Sequence, residues 1–592
     1  MTATRPAPTR KPAVAPPSTG PITLAKIGGR ISFFMMTYLL VMGIFIAQLI
    51  NLQVIKAPKL ASIAAGKRID TSVIPAIRGS ITDVNGVPIA TTVIARNISI
   101  DQTLVKDPKS TAKDLAPILK LSVKTVQDRL TGTKRFNYVA KQITPEQWKQ
   151  VAMLQIPGMY SEQTTKRVYP AGKLGASLVG FVGIDGQGLG GLEYALDGKL
   201  AGVNGSVTVE RVHGREIPTS ERDSVDAVNG TNVRLTIDRD IQALAERTLA
   251  DEIKKTDAES GDVIVMNPHT GDILAMATYP SFDPNNPLKS QEKQRRNDAV
   301  ADAFEPGSTS KVMTIAAVLE EGAATPESKF TIPPNIKRGG TTFRDHDKHD
   351  GLRLTLNGIL AKSSNIGAIL ASEKIGQKKF LSYLKKFGMG EPTGLKFPGE
   401  TQGLVPRPGD DRWSDTTFPT LAFGQGLSVS AMQTASVYAT IANDGVRMTP
   451  RLVSGYVNDA GAFTPKARTP GIRVVSATTS KTVREMLESV VSKDGTAPAA
   501  QIPGYRVAGK TGTANRVSEK SGLYQGYTAS FVGFAPAEQP ELVVAVFIHN
   551  PIKGHYGNAV AGPVFREVMM YALAQQKIPP STTKRPKMSV DW

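Results

Sequence analysis

The chain has 592 residues, 40% of them apolar, which is too long for one hydrophobic core and indicates two or three domains. Its formal net charge is +19, but the basic residues are spread along the chain without a recognition helix, zinc motif or RNA-binding motif. A nucleic-acid partner is therefore not predicted, since anionic lipids and wall polymers would attract the same charge. The chain has no cysteine, which excludes disulfides.

The first predicted element is a membrane-spanning helix. Residues 31–55 carry no charge and, as a helix, are long enough for a hydrocarbon core of about 30 Å. The stretch is longer than the apolar part of a signal peptide, and no small-residue cleavage site follows it. Residues 1–30 contain basic but no acidic residues, so we expect this tail in the cytoplasm and the chain after Lys56 outside.

The next part, residues 56–225, is predicted to be a β-rich module without chemistry of its own. Residues 57–68 are typical of a helix, 77–90 of a strand, turn and strand, and 145–154 of a short amphipathic helix. The glycine-rich stretch 180–193 lacks the spacing of a phosphate-binding loop, so we predict tight turns there.

A second domain is predicted to begin near Val225. Its strands and helices are expected in a mixed order that favours an α+β fold, with helices flanking an antiparallel sheet. The predicted elements are a strand at 232–238, a helix with one apolar face over 241–253, two strands within 262–277, a helix-like run at 354–361, strands at 527–535 and 542–548, and a closing helix at 563–576.

Ser308 and Lys311 stand three residues apart at the start of a predicted helix that follows Pro306 and Gly307. Residues at this spacing project from one helix face, close enough for the lysine amine to take the proton of the serine hydroxyl. Taken alone, the pair would be read as a helix cap and a solvated lysine.

Two further motifs follow, at 363–365 and 510–513, and the order of the three along the chain resembles that of penicillin-recognising serine enzymes. The first is Ser363-Ser364-Asn365, in which a hydroxyl could relay protons and an amide could hold a peptide group. The second is Lys510-Thr511-Gly512-Thr513, predicted to be a strand in which a cation and hydroxyls suit a carboxylate. Gly512 is expected to leave room for a substrate backbone beside that strand.

These three motifs resemble those of the class B penicillin-binding proteins, which are membrane-anchored peptidoglycan D,D-transpeptidases. The matching stretches are 304–311, 362–367 and 509–513. Upstream, Arg78-Gly79 and the segment from Arg167 to Glu193 resemble the pedestal module of the same class. The chain length and the residues of the three motifs favour the septal, FtsI-like branch of this class. An elongation-type member of the class is the alternative.

The resemblance implies a role for each residue of the site. Ser308 would be the nucleophile, Lys311 its base and Ser363 a proton relay. Asn365 would hold the substrate, and Lys510, Thr511 and Thr513 would bind its carboxylate along the strand that contains Gly512. The N–H groups of Ser308 and Thr513 would form the oxyanion hole. Lys311 must be neutral near pH 7, whereas a free lysine titrates near 10.4. Burial, the helix N-terminus and nearby Lys510 are expected to lower its pKa together, with cation crowding as the main contribution.

The resemblance also implies the division of the chain and its partners. We expect a cytoplasmic tail (1–30), a transmembrane anchor (31–55), a pedestal (56–225), a transpeptidase domain (226–576) and a flexible tail (577–592). The bulk of the chain would lie outside the cytoplasmic membrane of a bacterium, in the periplasm or extracytoplasmic space. Its partners would be stem peptides ending in D-Ala-D-Ala, β-lactams as covalent inhibitors, a glycosyltransferase and other division proteins.

Other functions are less consistent with the sequence. A D,D-carboxypeptidase or β-lactamase shares the motifs, but the long pedestal and the anchor argue against such a hydrolase. A catalytically silent scaffold is disfavoured by the intact motifs, and a β-lactam sensor by the shortness of the Pro-rich tail. No cofactor is predicted, and no metal, because the two histidines of 346–350 stand three apart in a loop rich in Asp and Gly.

Overall fold

A computed structural model describes residues 24–212, 215–216, 223–517 and 522–592. The chain divides into two compact units. The smaller unit comprises Met1–Val73 and Ser206–Val225, and the larger one Ile74–Gly205 and Asp226–Trp592. The prediction for the cytoplasmic tail lies mostly on residues 1–23, outside the described residues.

The helices and strands before residue 226 are, in chain order, α1 (Leu24–Ile50), α2 (Ala57–Arg68), β1 (Ile69–Ile74), β2 (Ile81–Thr82), β3 (Pro88–Ile100), α3 (Pro108–Leu119), α4 (Val123–Leu130), β4 (Asn137–Ile143), α5 (Pro145–Met153), β5 (Met159–Val168), α6 (Ala176–Val179), α7 (Gly191–Ala195), α8 (Asp197–Leu200), β6 (Gly205–Val212), β7 (Arg215–Glu216) and β8 (Asp223–Val225).

The smaller unit contains the predicted membrane span. Helix α1 continues through a π-helical turn at Asn51–Ile55, and Gly28–Ile55 is long and apolar enough to cross a membrane. Its large apolar side chains, such as Phe33 and Phe34, are exposed, as is expected of a helix surrounded by lipid. The predicted helix at 57–68 is α2, and β6 pairs with β1, β7 and β8.

The first part of the larger unit is built on β3. This strand pairs antiparallel with β4 and, over its C-terminal ten residues, with β5. Helices α3, α4 and α5 cover the sheet because each has one apolar face. The resulting hydrophobic core includes Ile98, Ile100, Leu115, Leu119, Val126, Leu130, Val139 and Val151.

Arg78, Arg167 and Glu193, from the stretches that resemble the pedestal module, form a buried charge cluster. Glu193, which is fully buried, accepts hydrogen bonds from Arg78 Nε and Arg167 Nε, both at 2.7 Å. Losing one partner would leave a buried charge uncompensated. The glycine-rich stretch forms tight turns as predicted, and a Cβ at Gly180 would lie 1.8 Å from Gly190 O.

The elements of the second part of the larger unit are β9 (Asn232–Leu235), α9 (Arg239–Thr256), β10 (Ser260–Met266), β11 (Ile273–Tyr279), α10 (Glu292–Arg295), α11 (Asp298–Ala301), α12 (Lys311–Glu320), β12 (Lys329–Ile332), β13 (Ile336–Arg338), β14 (Thr341–Phe343), β15 (Leu352–Thr355), α13 (Leu356–Ala361), α14 (Asn365–Glu373), α15 (Gly376–Lys386), α16 (Thr417–Leu421), α17 (Ala431–Ala442), β16 (Val446–Arg447), β17 (Val453–Val457), β18 (Phe463–Pro465), β19 (Ile472–Arg473), α18 (Ala477–Val491), β20 (Ala508–Val517), β21 (Tyr524–Ala535), β22 (Leu542–His549) and α19 (Gly557–Gln575).

The main sheet of this part has the strand order β11-β10-β22-β21-β20 and is antiparallel throughout. Every residue of β10 and β22 is buried, since helices α9, α17 and α19 pack against the sheet. The predicted α+β fold, with helices flanking an antiparallel sheet, is therefore confirmed. Strands β9 and β17 belong to a second sheet that also contains β2 and β3.

Three predicted elements differ from the structure. The closing helix α19 begins at Gly557, six residues before Pro563, which lies inside the helix, where packing on β21 and β22 outweighs its missing N–H donor. The run 354–361 divides into the end of β15 and α13, because Thr355 adopts an extended conformation and its side chain caps the helix. The segment 577–592 has no helix or strand, but it is not the free tail that was expected. Its backbone has hydrogen-bond partners in the domain, among them Thr355 N, which donates to Val590 O at 3.0 Å.

Candidate active site

The nucleophile turn, Gly307–Ser310, is a 3₁₀ turn that leads directly into α12. Gly307 has a positive φ of 54°, which lets the chain turn sharply into the helix. Ser308 is half-buried, whereas Lys311 is fully buried. Lys311 Nζ lies 2.9 Å from Ser308 Oγ, so the spacing that suggested the pair also brings the two groups within hydrogen-bond distance.

The second motif lies directly against this pair. Ser363 adopts a left-handed backbone conformation (φ 62°), which a residue with a side chain rarely takes. Its Oγ lies 3.2 Å from Lys311 Nζ and 2.9 Å from Lys510 Nζ, between the two amines. Asn365, the first residue of α14, accepts a hydrogen bond from Lys311 Nζ at 2.7 Å. A hydroxyl in this position can pass a proton between the amines.

The third motif lies on β20, at one end of the main sheet. Lys510 is fully buried and also donates to Thr511 O at 3.1 Å. Thr513 is half-buried, and its Oγ1 lies 3.4 Å from Gly557 N. Within the described part of the chain, β20 pairs on one side only, with β21. Its other edge can therefore accept an extended peptide by strand addition.

Burial controls the charge of Lys311. It lowers the pKa of this amine to about 7, and the nearby Asp345 carboxylate opposes that shift. Of the three causes expected from the sequence, burial, the helix N-terminus and crowding by Lys510, burial is therefore the dominant one, and crowding by Lys510 is not the main cause of the lowered pKa. The amine is enclosed by Ser308, Ser363 and Asn365, so its charged form is poorly solvated.

The hydrogen bonds of Lys311 suit a neutral amine. A neutral amine has two N–H donors and one lone pair. The two shortest contacts of Nζ are with Ser363 O at 2.6 Å and Asn365 Oδ1 at 2.7 Å. With both donors used there, the lone pair is left for the hydroxyl proton of Ser308.

Burial also lowers the pKa of Lys510 well below its ordinary value, and the charge of Lys311 contributes in the same direction. Two cations this close to a shared hydroxyl repel each other. The pair therefore favours a state in which at least one amine is neutral. A carboxylate arriving beside Lys510 would favour its protonated form.

Asp345 is a site residue that was not predicted from the sequence. Its carboxylate accepts hydrogen bonds from Ser364 Oγ at 2.7 Å and from Ile366 N at 2.9 Å, so it holds the start of α14. His349 Nε2 lies 3.2 Å from the same carboxylate. No local pattern connects Asp345 with a motif about twenty residues later. Among the described residues, no group of three or more His, Cys, Asp or Glu side chains could hold a metal ion.

Gly512 has a different role from the one predicted for it. A Cβ at this residue would lie 2.4 Å from Ser530 Oγ, 2.9 Å from Thr309 Cγ2 and 3.2 Å from Pro306 O. These atoms belong to β21 and to the residues of and beside the nucleophile turn. The glycine therefore allows β20 to pack closely against that turn, and does not leave room for a substrate.

We expect Gly512→Ala to slow acylation of Ser308 by a β-lactam at least tenfold, because shifts of about 1 Å between reacting groups can cost roughly 10²-fold. Stopped-flow acylation and thermal unfolding would measure both consequences. Gly198→Ala is the matched control, since a Cβ at Gly198 would meet no atom within 4 Å. A native acylation rate in Gly512→Ala would disprove the packing role.

Comparisons with known proteins agree with this architecture. Residues 261–570 match the family model of the penicillin-binding protein transpeptidase domain, and residues 73–235 that of the penicillin-binding protein dimerisation domain. The predicted domain boundaries remain predictions.

Two relatives and one solved structure illustrate the similarity. Penicillin-binding protein PbpB of Mycolicibacterium smegmatis is 36% identical over 592 residues, covering 93% of this chain and 91% of that protein. Peptidoglycan D,D-transpeptidase FtsI of Escherichia coli is 34% identical over 552 residues, covering 92% and 91%. The crystal structure of penicillin-binding protein 3 from Mycobacterium tuberculosis, complexed with aztreonam, superposes with a TM-score of 0.70 at 33% identity, covering 88% of this chain and all of that one.

Proposed function

Because the chain belongs to the class B penicillin-binding proteins, we propose that it is a penicillin-sensitive peptidoglycan D,D-transpeptidase that cross-links stem peptides through an acyl-enzyme on Ser308. The observation that carries the proposal is the 2.9 Å distance between Ser308 Oγ and the buried amine of Lys311. Burial lowers the pKa of that amine to about 7, so it can act as a base at neutral pH.

In the first half-reaction, Ser308 Oγ attacks the carbonyl carbon of the penultimate D-Ala while Lys311 Nζ takes the hydroxyl proton. The new C–O bond forms a tetrahedral intermediate, which the N–H groups of Ser308 and Thr513 would stabilise. The C–N bond to the terminal D-Ala then breaks. Its amine leaves with a proton that passes from Lys311 by way of Ser363 Oγ, which lies 3.2 Å away.

In the second half-reaction, an amine from a neighbouring stem peptide attacks the acyl carbon and forms the C–N bond of the cross-link. The ester C–O bond to Ser308 Oγ then breaks, and Lys311 passes the proton of the attacking amine to Oγ. Attack by water instead would make the protein a D,D-carboxypeptidase, which is the alternative of the same fold. We assign Lys510, Thr511 and Thr513 to the substrate carboxylate, and the approach of that anion raises the pKa of Lys510 again. Asn365 both contacts Lys311 and would hold a substrate amide.

The decisive assay incubates the full-length protein in detergent with glycan strands that carry pentapeptide stems. We expect cross-linked stems and one free D-Ala for each cross-link, both quantified by mass spectrometry. Penicillin should suppress both products, and Ser308→Ala should produce neither. Release of D-Ala without cross-links, in the presence of acceptor stems, would indicate the carboxypeptidase instead.

We propose further that the single N-terminal helix anchors the protein in a bacterial cytoplasmic membrane, with the residues after Lys56 in the periplasm. The similarity to FtsI of Escherichia coli supports a septal role, in which a glycosyltransferase supplies the glycan strands. A functional fusion with a fluorescent protein at the N-terminus should concentrate at midcell in dividing cells. An even distribution along the side wall would favour the elongation role.

A further inference from the structure

The last sixteen residues, 577–592, form an ordered segment that we call the C-terminal strap. Its first anchor is the chain just before β20. Ser581 N donates to Gly504 O at 2.9 Å, Arg506 N donates to Ser581 Oγ at 2.8 Å, and Tyr505 OH donates to Ile578 O at 2.7 Å. This anchor lies four residues before Lys510, on the sheet side of the active site.

The second anchor of the strap lies at the start of α13, on the helical side of the active site. Thr355 donates twice, from its N to Val590 O at 3.0 Å and from Oγ1 to Ser589 O at 2.7 Å. Asn357 Nδ2 also donates to Ser589 O, at 3.1 Å. Backbone and side-chain bonds together therefore fix residues 589–590 to the helix.

Helix α13 is shaped to receive the strap at Gly358. A Cβ at this residue would lie 1.7 Å from Val590 O. The backbone conformation at residue 358 does not require a glycine, because its φ is not positive. The residue also lies inside a helix, where glycine is unfavourable. The close approach of the strap accounts for the missing side chain.

The end of the strap is held by an aromatic side chain. Trp592 Nε1 donates to Phe330 O at 3.3 Å, and its ring lies under the cationic groups of Lys329 and Arg353, at 4.9 and 5.3 Å from the ring centroid. These two residues lie on the paired strands β12 and β15. Contacts between cations and aromatic rings of this kind add to the attachment of the C-terminus.

The two anchors precede the two motifs that meet across the active site. The first anchor leads into β20, which carries Lys510. The second is the start of α13, a helix of only six residues that ends two residues before Ser363. Lys510 Nζ and Ser363 Oγ are 2.9 Å apart. A shift of so short a helix would move Ser363 with it.

We propose that the C-terminal strap is a positioning segment that fixes the spacing between the Lys510 strand and the Ser363 turn, and thereby sets the rate at which Ser308 is acylated. The proposal rests on the proposed function, since acylation of Ser308 is its readout. It assigns no contact with substrate to the strap, which acts through α13 and β20.

The test compares the native full-length protein with a variant that ends at Arg585, which keeps the first anchor and loses the second. We expect the acylation rate constant at saturating penicillin to fall about tenfold, because small displacements of reacting groups are costly. Every molecule should still become labelled at Ser308, and a synthetic peptide of residues 586–592 should restore part of the rate. Lys584→Ala, at an exposed position of the strap, should react like the native protein.

Gly358→Ala displaces the strap without shortening the chain, and it decides the question if the shortened protein does not fold. The proposal would be overturned if the shortened protein and Gly358→Ala were both acylated at the native rate. The strap would then serve stability alone, even if both variants unfold at a lower temperature. If the native protein itself is not labelled at Ser308, the proposed function fails, and that failure is seen without any change to the strap.

Discussion

Ser308→Ala should abolish covalent labelling by penicillin, and Lys311→Ala should slow labelling of Ser308 by about 10²–10⁴-fold, the usual effect of removing a positioned proton acceptor. The first change removes the hydroxyl that forms the acyl bond. The second removes the amine 2.9 Å from that hydroxyl. Intact-mass and peptide mass spectrometry after penicillin treatment would measure both the extent and the site of labelling.

Ser308→Ala is a clean test because the serine hydroxyl does not hold the fold together. Ser308 does not cap α12, and without its hydroxyl Lys311 keeps its contacts with Ser363 O and Asn365 Oδ1. Ser310→Ala is the matched control, since this hydroxyl of the same turn donates to Gly307 O and should not be required for labelling. A stoichiometric adduct on another residue, or on the Ser308→Ala protein, would contradict the assignment.

The parts of the site that the sequence predicted are those set by local structure. Ser308 and Lys311 are neighbours because residues three apart share a helix face. The strand at Lys510 follows from residues next to it in the chain, and chain order suggested that the three motifs belong together. The same holds for α5, whose length and apolar spacing lie within one short stretch.

The parts that could not be predicted depend on residues far apart in the chain. Asp345 reaches Ser364 through a loop whose course no periodicity indicates. The role of Gly512 is decided by Ser530 and Thr309, and that of Gly358 by Val590. The degree of burial that lowers the pKa of Lys311 likewise arises only when the segments before and after it have packed.

We expect the rate of acylation by penicillin to rise with pH and to level off above about pH 7. Lys311 accepts the proton of Ser308 only in its neutral form, and its pKa is about 7. Below that value the neutral fraction falls about tenfold for each pH unit, so the rate at pH 5 should be roughly 10²-fold below the plateau. The carboxylate of penicillin stays ionised over this range and does not contribute to the profile.

Asp345→Asn should move the midpoint of that profile to lower pH, because the Asp345 carboxylate raises the pKa of Lys311 and the amide would not. The substitution keeps an oxygen that can accept the hydrogen bond from Ile366 N, so the start of α14 retains that contact. Asp347→Asn, at an exposed position of the same loop, is the control and should leave the midpoint unchanged. Stopped-flow acylation between pH 5 and about pH 9 would measure all three profiles. A rate independent of pH below 7 in the native protein would exclude Lys311 as the base. An unchanged midpoint in Asp345→Asn would show that the Asp345 carboxylate is not the group that raises the pKa of Lys311 against the effect of burial.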